Sequence, residues 1–146
     1  MSISLTISVD SDAFIALARE DDANHNKALS CLAYLMKHPV QFVTSNYVVS
    51  ESITVISIRK SHEAAIEFIT TMQSAENVYV IKRVDETVEK TAIDIFKHQT
   101  SKNTSFVDCT NMAFMRALRA DAIFSFNQVY RKNGFKLVSD LMKEKN

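Results

Sequence analysis

The sequence predicts an α/β fold: a three-layer α/β/α sandwich around a central parallel sheet of four to five strands. Three observations predict it. Short apolar and β-branched runs alternate with longer amphipathic stretches, which is the pattern of βαβ units. The 146 residues fit one domain with a sizeable core. Polar groups recur where a strand run gives way to a helix run, the edge on which such sheets place ligands. The whole chain, 1–146, is therefore read as a single domain, with 139–146 as a charged tail.

Each element has its own signal. Residues 3–9 (ISLTISV) alternate apolar and polar side chains and read as a strand. A short helix follows over 13–19, then the polar interruption EDDAN, then an amphipathic helix over 24–37. Pro39 punctuates that helix, and Val40 to Val43 reads as a second strand. Ser45 or Asn46 can cap a helix over 47–59. Ser61 can cap another, with Ala64, Ala65, Phe68 and Met72 on one face.

Val78 to Ile81 reads as a third strand. Asp85 can cap a helix reaching about His98, with Val88, Ala92, Ile95 and Phe96 as its apolar stripe. Residues 99–104 are polar and read as a loop, and 106–118 as a helix. Ala122 to Phe126 is a short fourth strand, Tyr130 to Gly134 a turn, and Phe135 to Val138 a fifth strand. The tail SDLMKEKN is expected to fray.

Composition narrows the function. Formal net charge is zero, with 17 basic and 17 acidic residues, so the basic excess of a tight non-specific nucleic-acid binder is missing. A local basic rim from Arg116, Arg119, Arg131, Lys132 and Lys136 could offset an acidic site. One Gly and one Pro leave no Gly-rich phosphate loop. Cys31 and Cys109 lack metal spacing and read as reduced thiols of a cytoplasmic protein. No secretory signature and no membrane-spanning segment is expected.

Four polar positions stand out, each with an ordinary structural reading beside a functional one. Asp10 ends the first strand and suits a helix N-cap; Asp12 could cap instead and free it. Glu51 lies too deep in its helix for a capping box and could simply face solvent. Asp108 follows Ser105 at S-x-x-D, a capping-box spacing at the positive end of a helix. Asn127 follows the fourth strand, where Asn is a common turn residue. Ser125, two residues before it, would share its face of an extended strand. Carboxylates gathered from distant segments otherwise have one common use, holding a hard divalent cation through oxygen.

Taken together, VDSDAFIAL, SNYVVSES, SFVDCTNMAFMRAL and SFNQVYRKNGF resemble the PIN domain family, and within it the VapC-type toxins of toxin–antitoxin pairs. The resemblance covers about Ile3 to Val138 and places Asp10, Glu51, Asp108 and Asn127 at the four usual acidic positions, with Ser125 at the usual Thr or Ser. It implies a Mg²⁺- or Mn²⁺-dependent endoribonuclease acting on single-stranded or loop RNA, whether tRNA, rRNA or mRNA. Asp10, Glu51 and Asp108 would serve the metal, and Ser125 and Asn127 would position water or a phosphate oxygen. It also implies a homodimer and a small antitoxin partner.

Asn127 departs from the family pattern. Its neutral amide removes one charge from the site, so a second expectation is a weakened PIN domain that binds RNA or protein. Asp121 cannot substitute: six residues upstream at about 3.3 Å per residue, it falls on the opposite edge of the sheet. Asp12 is near Asp10 but is expected to be turned away by helical geometry, and it is kept as a lesser candidate. A phosphotransfer receiver is disfavoured, because no Lys stands at a comparable strand end.

Overall fold

A computed structural model describes residues 4–74 and 78–144. Its elements run β1 (Leu5–Val9), α1 (Ser11–Ala18), α2 (His25–Leu35), β2 (Val40–Ser45), α3 (Asn46–Arg59), α4 (His62–Gln73), β3 (Tyr79–Lys82), α5 (Glu86–Lys97), α6 (Phe106–Leu118), β4 (Ala122–Phe124), α7 (Val129–Lys132) and α8 (Val138–Glu144). The sheet is parallel throughout, in the order β3-β2-β1-β4. Strand order reverses beside β1, which pairs with β2 on one edge and β4 on the other.

Period-two alternation explains the layers. Leu5, Ile7 and Val9 of β1 join Phe42, Ala122 and Phe124 in a core shared with α1, α2 and α8. Ile123 points to the opposite face, into a core with Ala92 and Ile95 of α5 and Cys109, Met112 and Ala113 of α6. Each of the larger apolar side chains among them (Leu, Ile, Val, Phe, Met), fully buried, contributes roughly 1.5–3 kcal/mol. The helices therefore cover both faces, as the alternation of elements predicts.

Local chemistry sets the helix starts. Ser45, Ser61, Asp85 and Ser105 each accept a backbone N–H at the start of the helix that follows. Ser45, rather than Asn46, caps α3. Helix α6 ends at Arg119 in the left-handed region, φ 51°.

Two expectations at the C-terminal end fail. The fifth strand is reduced to one parallel bridge, Ile123 to Leu137. The tail does not fray through Glu144: it forms α8. Val138, Leu141 and Met142 lie at i, i+3 and i+4 and pack on the main core, which holds the helix down. The fourth strand is also shorter than expected and stops at Phe124, so Ser125 and Phe126 lie beyond it. Residue 3, the expected first residue of β1, and residues 145–146 of the tail lie outside the described residues.

Candidate active site

The carboxyl ends of β1 and β4 meet where strand order reverses, and the polar cluster lies there. Asp10 directly follows β1. Its N–H continues the sheet pairing by donating to the Phe124 carbonyl at 3.1 Å. Its backbone is extended, and Oδ1 caps α1 by accepting from the Ser11 N–H at 2.7 Å. Asp10, not Asp12, is thus the cap, and its second oxygen is turned toward the Tyr130 hydroxyl.

Asp108 uses its two oxygens in the same divided way. Oδ2 accepts from the Ser105 N–H at 2.9 Å while Ser105 Oγ accepts from the Asp108 N–H at 3.0 Å, a complete capping box. Oδ1 faces the hydroxyl of Tyr130 at 3.2 Å. That hydroxyl also donates to Asp10 Oδ2 at 2.6 Å, and it accepts from Asn111 Nδ2 at 3.0 Å. A phenol carries one proton. With Asn111 on its lone pair, the proton is directed at the two carboxylates, and Asp10 is the nearer. Tyr130 is fully buried, so burial and the adjacent acids hold its pKa well above 10.0 and keep it a donor.

Asp12 contradicts its expectation. It does not turn away: its Oδ2 accepts from Ser125 Oγ at 3.0 Å and from the Phe126 N–H at 2.8 Å. Residues two apart diverge on a helix, but Asp10 is the cap and not a helical residue, so that angular rule does not govern the pair. Ser125 is therefore brought to the site through Asp12. Asp12 Oδ1 is buried and has no hydrogen-bond partner.

Glu51, on the first half of α3, is exposed, but the Ser11 hydroxyl donates to its Oε2 and tethers it to the start of α1. Asn127 is exposed as well. Its side-chain oxygen accepts from the Val129 N–H at 3.0 Å, and its own N–H donates to Ser125 Oγ at 3.1 Å. The amide thus shapes the turn into α7, which delivers Tyr130. Asp121 is held at the amino end of β4, where it accepts from the Thr6 N–H at 2.8 Å, consistent with its exclusion from the site.

Electrostatics ties the acids together. Burial, then the charge of Asp12, with that of Asp108 adding less, raises the Asp10 pKa to about 7, against the lowering bond from Tyr130. Burial also raises Asp12 and Asp108, with Asp108 acting on Asp12 and Glu51 on Asp108. None of the four forms an ion pair among the described residues. A set of buried, mutually repelling oxygens is a poor structural element and a good one for a hard cation.

The fit to such a cation is partial. Among the described residues, no three His, Cys, Asp or Glu side chains form a ready cage. Mg²⁺, however, keeps several waters and needs only one or two carboxylates beside substrate phosphate. Asp10 and Asp108, joined by one hydroxyl, and the unpartnered Asp12 Oδ1 meet that lesser demand. The expected basic rim is dispersed: Lys136 pairs with Glu144 at 2.6 Å, Arg131 with Asp140 at 2.8 Å, and Arg116 lies over the Phe135 ring.

Sequence reasoning missed Tyr130 and Asn111, and ranked Asp12 only as a lesser candidate. Nothing in the sequence distinguishes Tyr130 from a core aromatic. For Asp12 a signal existed, since D-S-D at a strand-to-helix junction places the second acid on the first helical turn.

Comparison with known proteins bears on the family and the fold. Residues 7–136 match the sequence profile of the PIN domain. The 23S rRNA-specific endonuclease VapC20 of Mycobacterium tuberculosis, from strains CDC 1551 / Oshkosh and ATCC 25618 / H37Rv, is 30% identical over 129 residues, covering 88% of this chain and 95% of the relative. The crystal structure of VapC20, described as a sarcin-ricin loop cleaving toxin, superposes with a TM-score of 0.79 at 28% identity, covering 88% of this chain and 95% of that one. FitAcB from Neisseria gonorrhoeae matches in fold alone, with a TM-score of 0.62 at 14% identity over 84% of this chain and 88% of that one.

Proposed function

The chain belongs to the PIN domain family and is VapC-like, and on that premise we propose that it is a metal-dependent endoribonuclease cutting single-stranded or loop RNA. The observation that carries this reading is the carboxylate pair Asp10 and Asp108, buried with no ion-pair partner among the described residues and beside two further acids at the reversal of strand order. The name of the M. tuberculosis relative makes a loop of ribosomal RNA the first substrate to try.

A bound Mg²⁺ or Mn²⁺ would neutralise charge on the phosphoryl oxygens and make water a better nucleophile. The protein's own groups then have separate tasks. Asp10 and Asp108 hold the cation, and Tyr130, fixed by Asn111, keeps their oxygens facing one another. Asp12 adds negative charge and ties the segment after β4 to α1. Glu51, steadied by Ser11, stands at the open side, where a carboxylate can accept a proton from the attacking water. Ser125 and Asn127 shape the wall against which the phosphate lies.

The VapC20 likeness supports a small antitoxin partner, and the proposal also takes the protein to be a homodimer. Arg or Lys of such a partner would be drawn to the same acids. Among the described residues no helix is long and apolar enough to cross a membrane. The proposal places the protein in the cytoplasm on the strength of its VapC likeness.

A second reading rests on Asn127. Its oxygen is engaged in a turn and supplies no charge, so the domain could bind RNA or protein with little cutting. Incubation with a structured RNA in Mg²⁺ or Mn²⁺, with and without chelator, separates the two. The enzyme reading predicts chelator-sensitive cutting that Asp10→Ala abolishes. No cutting by the wild type, with cutting restored by Asn127→Asp, favours the second reading. Cutting that persists in Asp10→Ala contradicts the site.

A further inference from the structure

A cavity of about 520 Å³ adjoins the carboxylates on the far side of the Ser125–Phe126 segment. Its size falls within the roughly 300–1,000 Å³ of small-molecule pockets. The same segment forms both sites: Ser125 Oγ and the Phe126 N–H hold Asp12, while both residues also line the cavity. Whatever lies across the acids must therefore continue over this cavity or turn sharply away from it.

The lining has a definite chemical character. Phe126 is half-buried and braced edge-on by Phe124, with ring centroids 6.2 Å apart. Gln128 accepts from Arg131 through Oε1 at 2.8 Å, which leaves its NH₂ group to donate elsewhere. Lys27 of α2 and Lys143 of α8 are exposed on the cavity lining. Neither forms an ion pair among the described residues. Arg131 is different, because Asp140 already holds it by Nε and Nη2.

We propose that this cavity is a subsite for a nucleotide flanking the scissile phosphate, with its base against Phe126 and its backbone phosphates against Lys27 and Lys143. The proposal rests on the endoribonuclease reading and extends it. An aromatic wall, amide donors and two unpaired ammonium groups are the parts that single-stranded nucleic acid uses: stacking for the base, charge for the backbone. The occupant does not depend on net basic charge, because the two lysines act locally beside an acidic site. An acidic peptide would use the lysines but would not draw on the part of the Phe126 ring that lines the cavity.

Fluorescence anisotropy with a short fluorescein-labelled single-stranded oligoribonucleotide, in chelator so that no cutting intervenes, tests the subsite. Lys27→Ala with Lys143→Ala is expected to weaken binding about 10-fold and to reduce the slope of log K against log salt by about 1.4, at about 0.7 per phosphate contact on single strands. Phe126→Leu is expected to weaken binding by a similar factor with the slope unchanged. The lysine pair is at the surface, so a matching melting temperature rules out misfolding for that variant even if Phe126→Leu proves unstable.

Lysine variants that bind RNA as the wild type does, with the same slope, overturn the subsite, even where the wild type cuts RNA in Mg²⁺. An acidic peptide that binds through the lysines, with no RNA binding, also overturns it. Lysine-dependent RNA binding by a wild type that does not cut in Mg²⁺ supports a nucleotide site in the cavity but removes the nuclease reading and with it the placement beside a scissile phosphate.

Discussion

The hydroxyl of Tyr130 donates to Asp10 Oδ2 at 2.6 Å while lying 3.2 Å from Asp108 Oδ1. One proton thus stands between two buried acids that come from opposite ends of the chain. The contact joins α7 to the starts of α1 and α6, and it engages the two acids that would hold a cation.

Tyr130→Phe keeps the ring and its packing and removes only that hydroxyl. Hydrogen bonds to charged groups contribute about 1.5–3 kcal/mol, so urea unfolding in chelator is expected to show a loss of that size. The deficit is expected to shrink in saturating Mg²⁺, because a cation held by Asp10 and Asp108 would offset their mutual repulsion. An equal deficit with and without Mg²⁺ would mean that the hydroxyl serves packing alone.

Stability in chelator should fall as pH rises from about 4 to about 7. The folded Asp10 pKa of about 7 lies above its ordinary 3.8, so between those values the native state binds the extra proton. The stabilising contribution is complete below the lower value and is lost as pH rises through the upper one. Asp12 and Asp108 are raised in the same direction. Asp140, lowered chiefly by Arg131, acts oppositely, but only as pH falls below its ordinary 3.8. Thermal melts across this range are expected to slope downward for the wild type and to flatten for Asp10→Asn.

Asp12→Asn keeps an oxygen for the Phe126 N–H and removes a charge. Cutting at fixed Mg²⁺ should fall by about 10- to 100-fold, the scale seen when groups supporting metal ligands are lost, while the melting temperature stays near that of the wild type. Unchanged cutting would show that Asp12 only fastens the segment after β4.

Asn127→Asp can keep the bond to Val129 and adds a charge beside the site. The Mg²⁺ concentration for half-maximal cutting is expected to drop about fivefold to tenfold, the scale of one added charge in a partly hydrated site. Titrating Mg²⁺ in a cutting assay reads this directly.

The sheet and its flanking helices were legible because alternation in strands and capping residues at helix starts are local signals. Ser45, Ser61, Asp85 and Ser105 show this, since each caps the helix its position announces. The positions of Asp10 and Asp108 were legible for the same reason. The contact between them was not, because it depends on Tyr130, whose hydroxyl looks like that of any core tyrosine until α7 is placed. Helix α8 was readable in principle from the spacing of Val138, Leu141 and Met142, but charged neighbours disguised its apolar stripe. The tether from Ser11 to Glu51 joins residues 40 apart in sequence, and no local pattern encodes it.

The central claim is that Asp10 and Asp108 together hold a divalent cation. Mn²⁺ binding followed by electron paramagnetic resonance tests it most directly, on the wild type, Asp10→Asn and Asp108→Asn. The account predicts binding by the wild type that each substitution weakens at least about 10-fold. Equal Mn²⁺ affinity in all three proteins would contradict it.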